Sequence, residues 1–242
     1  MDLREIDSGN PNRHPWEIAR ARCLSLLPSG DARGIADIGS GDMFFTRWLG
    51  DRLKAAVFAV DINYRQSGQV GDIVWCRDID EVGVGSLELI TMLDVLEHVE
   101  DDFVFLTHAV SRLKPGGQII LTVPAHRYLF SEHDVFLQHR RRYSRKDLAG
   151  LLAKADLAVK DLFFFFSSLY MIRIFQALAQ RIGIIRKVSV GVGAWSYAPS
   201  HWLTRSLANV LEADFVLGRS LHRMGMDLPG LSLCAICIKK PV

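Results

Sequence analysis

Seven short apolar runs separated by helix-like stretches constrain the fold of this chain most: Ile35–Ile38, Ala55–Val60, Ile73–Cys76, Leu87–Met92, Gln118–Val123, Ala158–Phe165 and Leu231–Ile238. They are apolar at nearly every position rather than at alternate ones, so both faces of the sheet they form must be covered. Between them the spacing predicts helices over Trp16–Leu27, stopped by Pro28-Ser29-Gly30, over Phe44–Leu53 and over Asp101–Leu113. Another begins at Ser144 and runs to Lys154, with Asp147 completing an acidic capping box. Strands alternating with helices call for an α/β fold, a doubly wound, mostly parallel, seven-stranded sheet of the Rossmann-like kind. Residues 167–229 separate the last two runs by far more than a simple connection needs. They are expected to form an inserted helical layer, Trp202–Val216 included, within a single domain spanning 1–242.

The composition, 49% hydrophobic and 23% charged over 242 residues, suits a globular domain with an ample core. A formal net charge of +2 offers no electrostatic footprint for nucleic acid. The charged start, Met1 to Asp7, lacks the apolar stretch of a signal peptide, and a cytoplasmic location is expected. Cys234 and Cys237 form a Cys-x-x-Cys, but three positions along a strand point to opposite faces. They read as buried thiols rather than as a metal grip or a disulfide. The segment Phe163 to Ile185 is long enough to span a bilayer, yet Arg173, Gln176, Gln180 and Arg181 interrupt it. It reads as a strand end followed by an amphipathic helix that either covers a pocket or rests on a membrane surface. The covering role is the commoner of the two.

Chemistry begins at Asp37-Ile38-Gly39-Ser40-Gly41-Asp42, which joins the first strand to a helix. Two glycines let a ligand approach bare backbone, and the helix N-terminus offers unpaired N–H groups. Met43 stands where a dinucleotide fingerprint would carry a further glycine. Asp61 closes the second strand about 20 residues on, placed to accept both ribose hydroxyls of a nucleotide-like cofactor. That device alone serves nicotinamide dehydrogenases equally well. After the third strand comes Arg77-Asp78-Ile79, and after the fourth Asp94-Val95-Leu96-Glu97-His98. Lys114-Pro115-Gly116-Gly117 reads as a tight turn. Pro124 to Asp134 and His139 to Ser144 crowd histidine, arginine and tyrosine at the sheet's open edge.

Taken together, these stretches resemble the class I S-adenosylmethionine-dependent methyltransferases, in the branch that acts on small molecules. The resemblance implies that Gly39 and Gly41 bed the methionine part of S-adenosylmethionine, with Asp37 near its amino group. Asp61 takes the ribose, Asp78 the adenine amino group, and Ile62 and Ile79 flank the adenine ring. Leu93 and Asp94 lie near the sulfonium. His98, His126 and His139 are the candidate general bases, Glu97 and His98 having loop bracing as an equal alternative. His133, Asp134 and Tyr143 are further candidates for orienting an acceptor. Arg141 and Arg142 either pair with an anionic substrate group or form a solvated turn. No metal is expected, since Glu97-His98 has no further ligand at a readable spacing. The expected reaction is methyl transfer to a small molecule, O-methylation ahead of C- or N-methylation. Tyr170, Phe175, Trp195, Tyr197, Trp202 and Phe215 would roof a pocket for an apolar or lipid-linked acceptor, core packing being the alternative use of the same residues. The competing readings are a cofactor-binding module without catalysis and a nicotinamide oxidoreductase. The latter predicts a complete Gly-x-Gly-x-x-Gly and a Tyr-x-x-x-Lys that the sequence lacks.

Overall fold

Ile35–Ile38 is buried at all four positions and becomes the central strand β1 of the sheet. The computed structural model describes residues 13–28, 32–182 and 201–241. The Pro28-Ser29-Gly30 stop (save Pro28), the Met1–Asp7 segment and the predicted roof residues Trp195 and Tyr197 lie outside them. In chain order the elements are α1 (Pro15–Leu24), β1, α2 (Phe44–Leu53), β2 (Val57–Val60), β3 (Gly68–Val70), β4 (Ile73–Cys76) and β5 (Leu87–Leu93). There follow α3 (Asp102–Ser111), β6 (Leu113–Pro124), α4 (Glu132–Phe136), α5 (Arg145–Lys154), β7 (Leu157–Phe165), α6 (Ser167–Arg181), α7 (Trp202–Arg223) and β8 (Ser232–Lys239).

The sheet runs β3-β4-β2-β1-β5-β6-β8-β7. β1 pairs parallel with β2 on one side and β5 on the other, so the winding reverses between β1 and β5. The crevice at the carboxyl ends of those two strands is where open α/β sheets bind ligands. β8 inserts antiparallel between β6 and β7. The eighth strand, β3, pairs antiparallel with β4 at the far edge. It is too short and too polar to read as a buried run.

Helices cover both faces. On one, Leu106, Ala109 and Val110 of α3 and Leu148, Leu151 and Leu152 of α5 pack on Ile38, Ile90 and Leu121. On the other, Ile18 and Leu24 of α1, Leu49 of α2 and Ala208, Leu211 and Phe215 of α7 pack on Ile35, Leu89 and Ile120. Cys234 sits in the second core and Cys237 in the first, as strand periodicity requires, and all four cysteines are free and buried.

Two expectations need correction. Lys114–Gly117 is no separate turn: β6 starts at Leu113, and the register jumps from Leu87↔Leu113 to Leu89↔Gln118. The four residues bulge out, with Gly116 at φ +77°. Second, α7 is part of the core, not of a roof. Phe215 stacks edge-on to Phe163 and Phe165 at 5.9 and 5.8 Å, worth roughly 0.5–1.5 kcal/mol per pair beyond area burial. On α6 the apolar residues Met171, Ile172, Phe175 and Leu178 are all exposed, as is Trp202 of α7. No helix among the described residues is long and apolar enough to cross a membrane.

Candidate active site

The loop after β1 holds three consecutive left-handed turns of backbone: Gly39 at φ +74°, Gly41 at +54° and Met43 at +64°. Gly39 is obligatory, since a Cβ there would stand 2.4 Å from Val95 Cγ2. Met43 shows why a third glycine is usual at its position, for a side chain in that conformation costs about 1–2 kcal/mol. Asp61, at the end of β2, fastens the loop. Its Oδ2 accepts from the Gly41 N–H at 2.8 Å, and its Oδ1 accepts from the Asn63 backbone and side chain at 2.9 Å each. Oδ1 is thereby filled, and Oδ2 retains one lone pair for a ribose hydroxyl. Tyr64, which sequence reading missed, closes the same loop: its hydroxyl lies 2.7 Å from Ser40 Oγ and donates to the Gly41 carbonyl at 2.8 Å.

Asp37 is buried beneath the loop and accepts from Thr46 Oγ1 at 2.6 Å and Thr91 Oγ1 at 2.7 Å. Burial raises its pKa, while the two hydroxyls oppose the rise. Beside it opens a cleft lined by Glu17 and Arg20 of α1, Gly39, Phe44 and Leu93. The acidic and basic residues of α1 carried no sequence signal, because helix α1 precedes every recognisable motif. Arg20 pairs with Asp94 Oδ2 at 2.9 Å, and Asp94 Oδ1 accepts from Thr122 Oγ1 at 2.9 Å. Asp78 caps the 3-10 turn after β4 by accepting the Asp80 N–H at 2.9 Å. Ile62 is exposed there, whereas Ile79 is packed into the core.

Beyond Asp94 the structure gathers residues from two segments, the turn after β5 and the loop after β6. Glu97 follows β5 and is fully buried. His139 presents Nδ1 to Asp134 Oδ1 at 2.9 Å and Nε2 to Glu97 Oε1 at 4.0 Å. The His98 ring meets that of His139 edge-on, centroids 4.8 Å apart. Arg142 donates to Asp134 Oδ1 at 2.7 Å and to the Ala125 carbonyl at 3.2 Å. Burial opposes ionisation of Asp134, but the His139 hydrogen bond and Arg142 outweigh it and hold its carboxyl well below the usual range. Burial, with Asp94 nearby, pushes Glu97 far the other way.

Neither sequence reading of the arginines survives. Arg142 is inside, and Arg141 donates to Asp102 and to the carbonyls of Val99 and Glu100 at 3.1, 3.1 and 2.6 Å. Tyr143 likewise hydrogen-bonds Asp102 at 2.7 Å. These three bind the loop after β6 to the fold. His126 parts company with the other two histidines. Its ring stacks on Phe164 at 5.0 Å and touches Tyr170 at 4.8 Å, and Nε2 meets the Gly230 carbonyl at 3.0 Å.

A family model described as "Methyltransferase domain" matches residues 17–162. That span takes in the glycine loop, Asp61, Asp94–His98 and the loop of Asp134–Arg142. The chain belongs to this methyltransferase family. An S-adenosylmethionine-dependent methyltransferase from Archaeoglobus fulgidus is 17% identical, with a TM-score of 0.57 and 96% of each chain covered. One from Mesorhizobium loti is also 17% identical, at a TM-score of 0.53, covering 96% of this chain and 99% of that one. Phosphoethanolamine N-methyltransferase 2 from Haemonchus contortus, in complex with S-adenosylmethionine, is 14% identical at a TM-score of 0.55, covering 93% of this chain and 53% of its own. No curated protein matches the sequence.

The methyl donor of this methyltransferase is S-adenosylmethionine, and the donor cleft fits it. Gly39 has no side chain to intrude, Asp61 has acceptor capacity to spare on Oδ2, and Asp37 and Glu17 bring carboxylates to the cleft wall, a lining compatible with an ammonium. The oxidoreductase reading falls with the family assignment.

Proposed function

We propose that this methyltransferase methylates a hydroxyl oxygen of an apolar or lipid-linked small molecule, with His139 receiving the hydroxyl proton. When bound, S-adenosylmethionine supplies an electrophilic methyl group on a sulfonium. The chain must then hold the acceptor in line with that methyl and keep water away. Gly39, Gly41, Asp61, Asp78, Ile62 and Ile79 hold the donor, with Asp37, Leu93 and Asp94 at its reactive end. The observation that carries the reading is the Asp134–His139 pair: an ionised carboxylate on Nδ1 sets the tautomer and leaves Nε2 as the basic atom. His98 packs beside it, and His126 orders the mouth of the pocket.

The acceptor's apolar character is supported by the surface around that mouth. Tyr128, Phe130 and Phe136 of the loop after β6 are exposed, next to the exposed face of α6. Tyr128 and Tyr170 join hydroxyls at 2.8 Å and Arg173 donates to Ser131 Oγ at 3.0 Å, so α6 and this loop act as one surface. From position 162 to 211 the chain carries Arg173, Arg181, Arg186, Lys187 and Arg205 and no carboxylate. An apolar face with basic flanks suits the surface of an anionic bilayer. In this reading the 167–229 insertion of a single domain docks there and admits a lipid-linked acceptor.

The test is methyl transfer to matched alcohol, amine and carbon-acid acceptors, in detergent and on vesicles. An O-methyl product is expected, with kcat down about 100-fold or more in His139→Gln and donor KM little altered. An N-methyl product, or full turnover in that variant, would sink the proposal. Sedimentation with anionic vesicles, lost in Phe175→Asp, checks the docking separately.

A further inference from the structure

Asp134 and Glu97 stand on opposite sides of the His139 ring, and only one of them is satisfied. Asp134 accepts from Arg142 at 2.7 Å and from the Ser131 N–H and hydroxyl at 2.8 and 3.0 Å. It therefore takes the Nδ1 proton of His139 as acceptor and turns the Nε2 lone pair toward Glu97. Glu97 is 0% exposed, and neither of its carboxylate oxygens has a hydrogen-bond partner among the described residues. The ligand atoms of Glu97, His98 and His139 all lie within 4.8 Å of one another. A buried carboxylate without a partner is costly, and two lone-pair donors directed at one space call for a positive charge between them.

We propose that Glu97, His98 and His139 hold one divalent first-row cation such as Zn2+. Two imidazoles and a carboxylate are the donor set of zinc centres that keep a further position open for a small ligand. Tetrahedral ligation at about 2.0–2.1 Å brings ligand atoms to about 3.3 Å apart, so the three side chains close in by roughly an ångström. Asp134, backed by Arg142, is the outer carboxylate that ligating histidines usually carry on their second nitrogen. The sequence showed Glu97-His98 without a third ligand, and the fold brings His139 in from the loop after β6. Resting on the hydroxyl-acceptor reading, cation and proton use His139 Nε2 in turn: in the metal-free chain Nε2 takes the hydroxyl proton, whereas in the loaded chain the cation would draw the acceptor oxygen and lower its pKa, the proton leaving to solvent. Cation binding itself does not depend on that reading.

The experiment strips the full chain with a chelator and titrates it with Zn2+ by calorimetry and with Co2+ by its visible d–d bands. No methyl donor or acceptor is present. One saturable ion per chain is expected, with the intense band of a low-coordinate N/O site. Glu97→Gln and His139→Gln should each weaken binding at least 100-fold, and Asp134→Asn about 10–100-fold. His108→Gln, on the outer face of α3, should leave it unchanged. Thermal melts and S-adenosylhomocysteine binding check that the variants are folded. Absence of stoichiometric binding by the wild-type chain overturns the proposal, as does binding that survives both ligand substitutions. O-methylation without cation binding sinks this inference alone, and cation binding without O-methylation sinks only the acceptor reading.

Discussion

At the donor end of the cleft, Gly39, Gly41, Asp61 and Tyr64 come from one βαβ stretch and bond to one another across a few ångströms of backbone. At the other end, Glu97 from the turn after β5 meets Asp134, His139 and Arg142 from the loop after β6, and the contact between the two segments is made through buried charge. The donor loop draws its shape from backbone dihedrals and is tolerant of its surroundings. The acceptor cluster draws its shape from mutual ion pairing, so each member depends on the others being in place. A methyl donor common to a whole family and an acceptor particular to one enzyme would be served by those two kinds of construction.

The largest expected effect is at the acceptor end. Arg142→Leu strands the Asp134 carboxylate and should cost about 3–5 kcal/mol in urea unfolding, while S-adenosylhomocysteine affinity stays within about threefold. A loss under about 1 kcal/mol would show that the cluster is not held by charge. The same carboxyl gives a pH signature. Because its folded pKa lies below its unfolded value of about 3.9, it contributes stability above that value and loses it as pH falls lower. Asp134→Asn should flatten this acid limb of the stability curve.

At the donor end Gly39→Ala should cost about 2–3 kcal/mol, from left-handed strain plus the contact with Val95, and weaken cofactor binding at least tenfold. Adding Val95→Ala should recover only the steric part, which a double-mutant cycle in thermal unfolding would separate from the strain. Asp61→Ala removes the carboxylate that fastens the loop at Gly41 and should lower cofactor affinity about 10–100-fold with acceptor KM unmoved. An equal rise in acceptor KM would mean that the two ends are coupled. The smallest effect is a gain. Met43→Gly relieves a left-handed side chain and should stabilise by about 1 kcal/mol without altering donor binding.

The glycine loop and the acid that fastens it were legible from the sequence because they are local. Glycines, strand ends and an acid about 20 residues on lie in fixed order, and backbone geometry at those positions follows from residue type. The strands were legible for the same reason, down to β1 and α2 at their observed limits and the Ser144–Asp147 capping box, formed as expected. Only the tertiary structure decided the rest. Phe215 joined the core and Phe175 the surface although both sit in amphipathic helices, because strand order determines which helix faces find the sheet. Arg141 and Arg142 turned inward because Asp102 and Asp134 stood within reach, and His139 came to Glu97 because β6 returns beside β5. A pattern of residue types records which side chains want partners. Which distant partner each one meets depends on how the sheet is wound.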